Sequence, residues 1–303
     1  CRDFVMKQVD KQRVDFKRLG VLGDWDDPYL TMNFAQEADI IRSLGRIAEQ
    51  GHISKGSKPV HWCTDCGSAL AEAEVEYKDK ESFAIDVRFP VVDQAAFEAG
   101  FSPTADGLGS GEIDVLVQAG DRRLMLAEGM LEQSMPRWNI DEYQVVGRAP
   151  GAAFERQLLQ HPFYHRQVPI VLGDHVTLEA GTGAVHTAPG HGLEDYIVGQ
   201  RYDLPVDNPV GGNGCFLPGT PLFEGEHVFK ANEHVIDVLV EHGALMKVSR
   251  FNHSYPVCWR HKSPIIFRAT PQWFISMQQK GLRDTAMAEI QRVEFTPDWG
   301  KAR

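Results

Sequence analysis

The sequence predicts a mixed α/β and β-rich fold: an α/β base carrying an inserted, barrel-like domain. Three observations predict it. Apolar stripes at helical spacing lie near both chain ends. Short β-rich runs separated by Gly and Pro fill the middle, from Phe83 to about Leu245. Two knuckle motifs, Cys63-x-x-Cys66 and Cys258-x-x-His261, flank that middle stretch. The expected division is a base from residues 1–77 and 247–303, with an insertion over 78–246.

In order, residues 3–19 are expected to form a helix with Phe4, Val5, Val9, Phe16 and Leu19 buried and Gly20 as its stop. Asn33 is expected to cap a second helix, with Gln36 completing a capping box. Phe34, Ala38, Ile41, Leu44 and Ala48 would form its core stripe, ending at Gly51. Glu72, Glu74 and Glu76 alternate with Ala73, Val75 and Tyr77, the period of a strand. That strand and 245–251 read as the two arms of a ribbon joining base and insertion. Further strands are expected at 84–91, 113–118, 123–127, 168–172 and 176–178. A strand at 183–187 should run into a turn forced by Pro189, Gly190 and Gly192, then a helix over 194–202. A helix over 230–242 should turn Val235, Ile236, Leu239 and Val240 inward and stop at Gly243. The last elements are a strand at 265–268 and a helix at 279–293.

Composition narrows the function classes. The chain of 303 residues is 43% hydrophobic and 24% charged, as in ordinary globular proteins. No apolar run approaches a membrane span, so no membrane role is expected. The net charge of −11 argues against broad non-specific nucleic-acid binding, though a local basic face could still grip one RNA end. Five cysteines, two in a C-x-x-C, suggest metal binding in a reducing, cytoplasmic compartment. The chain starts at Cys1 without an initiator Met or a signal-like segment, as expected of a piece of a longer polypeptide.

The two knuckles lie 192 positions apart (258 − 66). Each can offer two ligands from one tight turn. Together Cys63, Cys66, Cys258 and His261 would make a closed Cys₃His shell, which suits structural zinc. The plain alternative is a metal-free C-x-x-C with an unrelated Cys and His. The flanking arrangement favours the metal, because the ligands would staple the place where the chain leaves and returns. A full protein shell has no open position, so no catalytic role is expected. Cys1 and Cys215 stay outside the site.

The region 181–196 gathers His186, Thr187, His191, Glu194 and Asp195 around a glycine turn between a strand and a helix. Side chains at such turns face the working side of a domain. A polar loop with an ordinary acidic helix start explains the same residues. The wording GTGAVHTAPGHG, followed by an acidic pair and Tyr196, resembles the editing-domain signature of the isoleucyl-tRNA synthetase family. Trp62 to Tyr77, Gly20 to Met32 and Ser254 to Phe274 resemble that family's connective-peptide region, so the likeness covers nearly the whole chain. It implies that Asp195 holds the α-ammonium of a mischarged amino acid and that His186 shapes the side-chain pocket. Thr187 and His191 would line the same site, His191 also serving the turn. It implies hydrolysis of valine from the 3′ end of tRNA(Ile), inside a longer synthetase that alone uses ATP. It also implies the cysteine-rich knuckle pair.

The chain departs from the family in one place. A threonine-rich strand and turn ending in a Trp-Thr-Leu-Pro-Ala-Asn-like run should lie between Val92 and Ile113. Phe101 to Glu112 (FSPTADGLGSGE) stands there instead, with Thr104 as its one threonine. The His-x-Gly-His and Lys-Met-Ser-Lys-Ser motifs of amino-acid activation are absent from the sequence. The rival reading is therefore a zinc-stapled, catalytically inactive tRNA-binding or structural module. The valine- or leucine-specific sister enzymes, which share the insertion, are a third reading.

Overall fold

The computed structural model describes residues 1–103 and 113–302. Thr104 and the Gly109-Ser110-Gly111 stretch lie outside the described residues. In chain order the helices are α1 (Arg2–Arg18), α2 (Phe34–Glu49), α3 (Gln94–Glu98), α4 (Leu131–Arg137), α5 (Leu193–Arg201), α6 (Ala231–Glu241) and α7 (Leu282–Arg292). The strands are β1 (Ile53–Cys63), β2 (Ser68–Ala69), β3 (Val75–Val87), β4 (Ile113–Ala119), β5 (Arg122–Ala127), β6 (Gln144–Pro150), β7 (Leu158–Gln160), β8 (Gln167–Pro169), β9 (Leu245–Cys258) and β10 (Ile266–Ile275). Two compact units result, one from residues 1–56 and 271–303, the other from 57–270. The insertion expected over 78–246 falls inside the larger unit, together with both knuckles.

In the smaller unit, α1 and α2 end where the sequence places their stops. Gly20 and Gly51 take left-handed φ values of +79° and +77°. The packing differs from the expectation. No residue of α1, α2 or α7 is buried, and Phe34 is 77% and Leu19 68% exposed. The stripes have helical spacing, but their residues stay half-buried or exposed. The capping box is also missing: Asn33 heads α2 without any side-chain cap bond. The helix expected at 279–293 begins with a 3₁₀ turn and becomes α-helical only at Leu282.

The larger unit is built on a two-stranded antiparallel ribbon. β3 pairs with β9 from Val75↔Cys258 to Val87↔Leu245. Both expected arms are there and run further than their alternation suggested. Glu72–Glu74, however, is a 3₁₀ turn and not strand. Glu74 Oε2 accepts the Ala71 N–H at 2.9 Å, which closes that turn before the ladder starts. Midway, Lys80 Nζ lies 4.2 Å from the centroids of both Phe229 and Tyr255. Such cation–π contacts stiffen a ribbon that has no third strand.

Beyond the ribbon, β5-β4-β6 form an antiparallel sheet. Val115, Val117, Leu126 and Met135 are fully buried against it, with Trp138 and Val145 packed around them. Trp138 Nε1 donates to Asp86 Oδ2 at 2.8 Å, tying this core to β3. A second cluster joins Phe97, Ala149 and Phe154. β7 and β8 form a short hairpin. The barrel-like expectation is not met: among the described residues, the four sheets β10-β1-β2, β3-β9, β5-β4-β6 and β7-β8 all remain open. Residues 176–178 and 183–187 are not strands. In the second of these the Ala184 N–H turns to its local neighbour Thr182 Oγ1 at 3.3 Å, so no ladder forms. In α6, Val238 and Leu239 point inward, whereas Val240 is 58% exposed, a shift of the buried stripe by one position.

Candidate functional site

The first knuckle is the turn between β1 and β2. Cys66 N donates to Cys63 Sγ at 3.3 Å and Gly67 N to Cys63 O at 2.9 Å. The second follows β9: Lys262 N donates to Cys258 O at 2.8 Å and Cys258 N to Ser263 O at 2.9 Å. The ribbon brings the two together, because Cys258 pairs with Val75 at its base. The ligand atoms of Cys63, Cys66, Cys258 and His261 all lie within 4.8 Å of one another. Four edges of this figure are 3.7 Å (Cys63 Sγ to His261 Nδ1), 3.8 Å (Cys66 to Cys258), 3.2 Å (Cys66 to His261) and 3.8 Å (Cys258 to His261). A tetrahedron with metal–sulfur bonds of ~2.3 Å has edges of about 3.8 Å, so the set fits a zinc-sized ion.

The thiol electrostatics agree. Burial and the hydrogen bonds and charges of Cys63 and Cys258 push the Cys66 thiol up to about 12. Burial would also raise Cys258, but donors on His261 and Arg260 bring it down to about 7. Without a cation, three thiolates cannot share this space; a divalent ion removes that conflict.

The second predicted site is the turn before α5. His191 N donates to Ala188 O at 2.8 Å, and Tyr196 N to Gly192 O at 3.0 Å as the helix begins. Two glycines are sterically required. A Cβ on Gly190 would stand 2.0 Å from Asp207 O, and one on Gly192 would stand 2.9 Å from Asp195 Oδ2. Asp195 folds back over Gly192 so that its Oδ2 accepts the Ala188 N–H at 3.0 Å. The carboxylate is thereby oriented by the backbone of the turn it faces. Gly190→Ala is expected to lower Tm by several degrees, since backbone and not a flexible side chain opposes the methyl. Thermal unfolding followed by circular dichroism checks this.

His186 and Asp195 are close enough for the carboxylate to act on the imidazole. Burial lowers the His186 pKa, Asp195 raises it and Arg166 lowers it, with burial the largest effect. Yet His186 is solvent-exposed. Phe89 stacks on it with centroids 6.2 Å apart and an interplanar angle of 25°. Thr187 is half-buried. His191 is anchored elsewhere: its Nδ1 lies 2.9 Å from Phe267 O, and its Nε2 is buried without a partner. Those are the contacts of a residue that holds the turn against β10.

Sequence reasoning missed three neighbours. His175 Nε2 is buried 3.7 Å from Asp195 Oδ1, too far for a hydrogen bond. Phe89 lies at the far end of the ribbon, and His161 ends β7. Their positions depend on how the hairpin folds back on the turn, which no local motif announces. The 440 Å³ hollow lined by Cys215, Gly225, Glu226, His227 and Lys230 takes in none of the predicted site residues.

His161 gives a pH prediction. Burial, reinforced by Arg166 and His186, holds its pKa at about 4, below the ordinary 6.5. The unfolded chain therefore binds a proton at a pH where the folded chain does not. The stability this group supplies is complete above pH 6.5 and is lost as pH falls toward 4, by about 3 kcal/mol in all. Urea midpoints between pH 7 and 4 should fall more steeply for the parent chain than for His161→Phe.

The comparisons with known proteins identify the family. The family model for tRNA synthetases class I (I, L, M and V) matches residues 1–303. The isoleucine–tRNA ligase of Thioalkalivibrio sulfidiphilus is 57% identical over 328 aligned positions, and that of Methylococcus capsulatus 58% over 331. The isoleucine–tRNA ligase of Aeromonas hydrophila is 54% identical over 342. Each alignment takes in the whole of this chain, which spans only 35–36% of the relatives' length. No helix among the described residues is long and apolar enough to cross a membrane. With a match along its full length, the chain belongs to the class I tRNA synthetases.

Proposed function

We propose that this chain is the proofreading part of an isoleucine–tRNA ligase and that it hydrolyses valine from mischarged tRNA(Ile). The carrying observation is the Asp195 carboxylate, fixed by the Ala188 N–H beside the open imidazole of His186. An isoleucine pocket cannot strongly reject valine, because one methylene is worth only about 1–3 kcal/mol, and the isoleucine enzyme is itself the standing illustration of that limit. A second site that admits only the smaller side chain removes the error.

In this reading Asp195 takes the α-ammonium of the valyl ester through the oxygen that Ala188 leaves free. His186 and Phe89 wall the side-chain recess and exclude isoleucine. Because His186 is held neutral, it does not repel the ammonium. Water attacks the ester carbonyl, the acyl–oxygen bond breaks, and the ribose hydroxyl leaves with a proton, giving free valine and uncharged tRNA. Zinc on Cys63, Cys66, Cys258 and His261 is structural. Residues 78–246 act as the editing insertion and 1–77 with 247–303 as its base. ATP serves only the longer relatives' synthetic reaction, and the working compartment is the cytoplasm.

One observation favours a second reading, an inactive zinc-stapled module that binds tRNA or serves as structure. The alignment with the Thioalkalivibrio protein runs 328 positions against 303 residues, so at least 25 of its positions (328 − 303) face gaps in this chain. The threonine-rich editing segment expected before Ile113 is a natural place for them. Release of labelled valine from valyl-tRNA(Ile), with isoleucyl-tRNA(Ile) as counter-substrate, separates the readings. Selective release supports proofreading; binding without release supports the module.

A further inference from the structure

We propose that His161 is a positioning residue that sets the specificity of the editing recess: acting through the Phe89 ring, it fixes the wall on which His186 filters the side chain. The inference rests on the proofreading reading of Asp195 and His186. Phe89 is the shared piece. It stacks on His186 and meets His161 edge-on, with centroids 6.1 Å apart at 76°. Moving His161 would therefore let Phe89 move, and with it the face against His186.

His161 is built not to move. It is 8% exposed. Its Nδ1 accepts the N–H groups of Phe163 at 3.3 Å and Tyr164 at 3.0 Å. The proton of the neutral ring must then sit on Nε2. Tyr164 stacks on the ring at 4.9 Å and Phe163 meets it edge-on at 4.6 Å. The backbone closes the same loop, with His161 N donating to Arg166 O at 2.9 Å. Gln160 Nε2 adds bonds to Tyr164 O at 2.9 Å and Arg166 O at 3.0 Å. So many constraints on a short hairpin exceed what the hairpin itself needs. They suit a wall that must resolve one methylene, because a loose wall accommodates the larger group.

The test uses non-hydrolysable valyl- and isoleucyl-adenosine, with an amide in place of the ester, titrated calorimetrically into the chain. The parent chain should prefer the valyl compound by tenfold or more. His161→Asn keeps an acceptor where Nδ1 stood, so the loop can close, but removes the ring behind Phe89. It should bring the preference within about threefold, mainly by tighter isoleucyl binding, and should shift the His186 ring resonances in ligand-free protein. A folded His161→Asn chain with unchanged preference and unshifted His186 resonances overturns the inference and leaves the proofreading reading standing. Should the parent bind neither compound, or Asp195→Ala bind both as before, the reading of the site fails and takes the inference with it.

Discussion

Asp195→Asn should reduce kcat/KM for valyl-tRNA(Ile) hydrolysis by about a hundredfold or more without unfolding the chain. The substitution is nearly isosteric. The amide oxygen can still accept the Ala188 N–H that the carboxylate now accepts at 3.0 Å, so the turn before α5 keeps its closing bond. What disappears is the negative charge. Asp195 is half-buried, its side chain 21% exposed, and leaving an ammonium against a neutral amide there costs about 2–5 kcal/mol, the usual penalty for removing one partner of a desolvated charge pair. Asp195→Ala adds a second defect, since the Ala188 N–H then loses its acceptor. It should be as inactive as Asp195→Asn and also melt lower. A rate for Asp195→Asn within about twofold of the parent would show that no ammonium is held there. The His175 ring, whose Nε2 lies 3.7 Å from the other carboxylate oxygen, offers no replacement, because an imidazole carries no negative charge for an ammonium.

Particular residues show how far the sequence could be read. The ribbon was legible because residues 72–77 alternate with a period of two and an apolar-rich stretch returns at 245–251. The turn at 188–192 was legible because Gly190 and Gly192 are demanded by close backbone and carboxylate approach, a local requirement that leaves a local mark. The knuckles were legible for the same reason. The fate of the stripe on α2 was not, because spacing says which face is apolar and nothing about what covers it. The barrel was over-read: Gly- and Pro-broken runs such as 176–178 have strand composition, but a ladder needs a partner in register, and among the described residues none pairs with them. His161 and Phe89 were invisible because their meaning comes from a meeting in space between residues 72 positions apart (161 − 89).

Zinc removal should have the largest structural effect. The preparation should contain one zinc per chain by elemental analysis, and stripping it with a strong chelator should lower Tm by about 10 °C or more. Structural zinc sites of this ligand class contribute a large share of local folding energy, and a loss of a few kcal/mol shifts a domain of this size by that amount. The damage should start at a defined place. Cys258 is at once one of the four side chains that could hold the metal and the partner of Val75 at the first rung of the ribbon. Trp259 N donates to Glu74 O at 3.0 Å just below it. Loss of the metal removes the bonds that tie the two knuckles to each other, and the base of the ribbon loses its pin. Amide exchange should therefore quicken first at Glu76, Val257 and Cys258, while Val115 and Val117 in the β5-β4-β6 core stay protected. Cys258→Ser should reproduce the loss. His261→Cys alone should keep the zinc and the melting temperature, because a Cys₄ shell holds the same tetrahedral ion. A metal-free chain that melts at the same temperature would mean the four side chains meet for packing alone, and the ribbon would need no pin at its base.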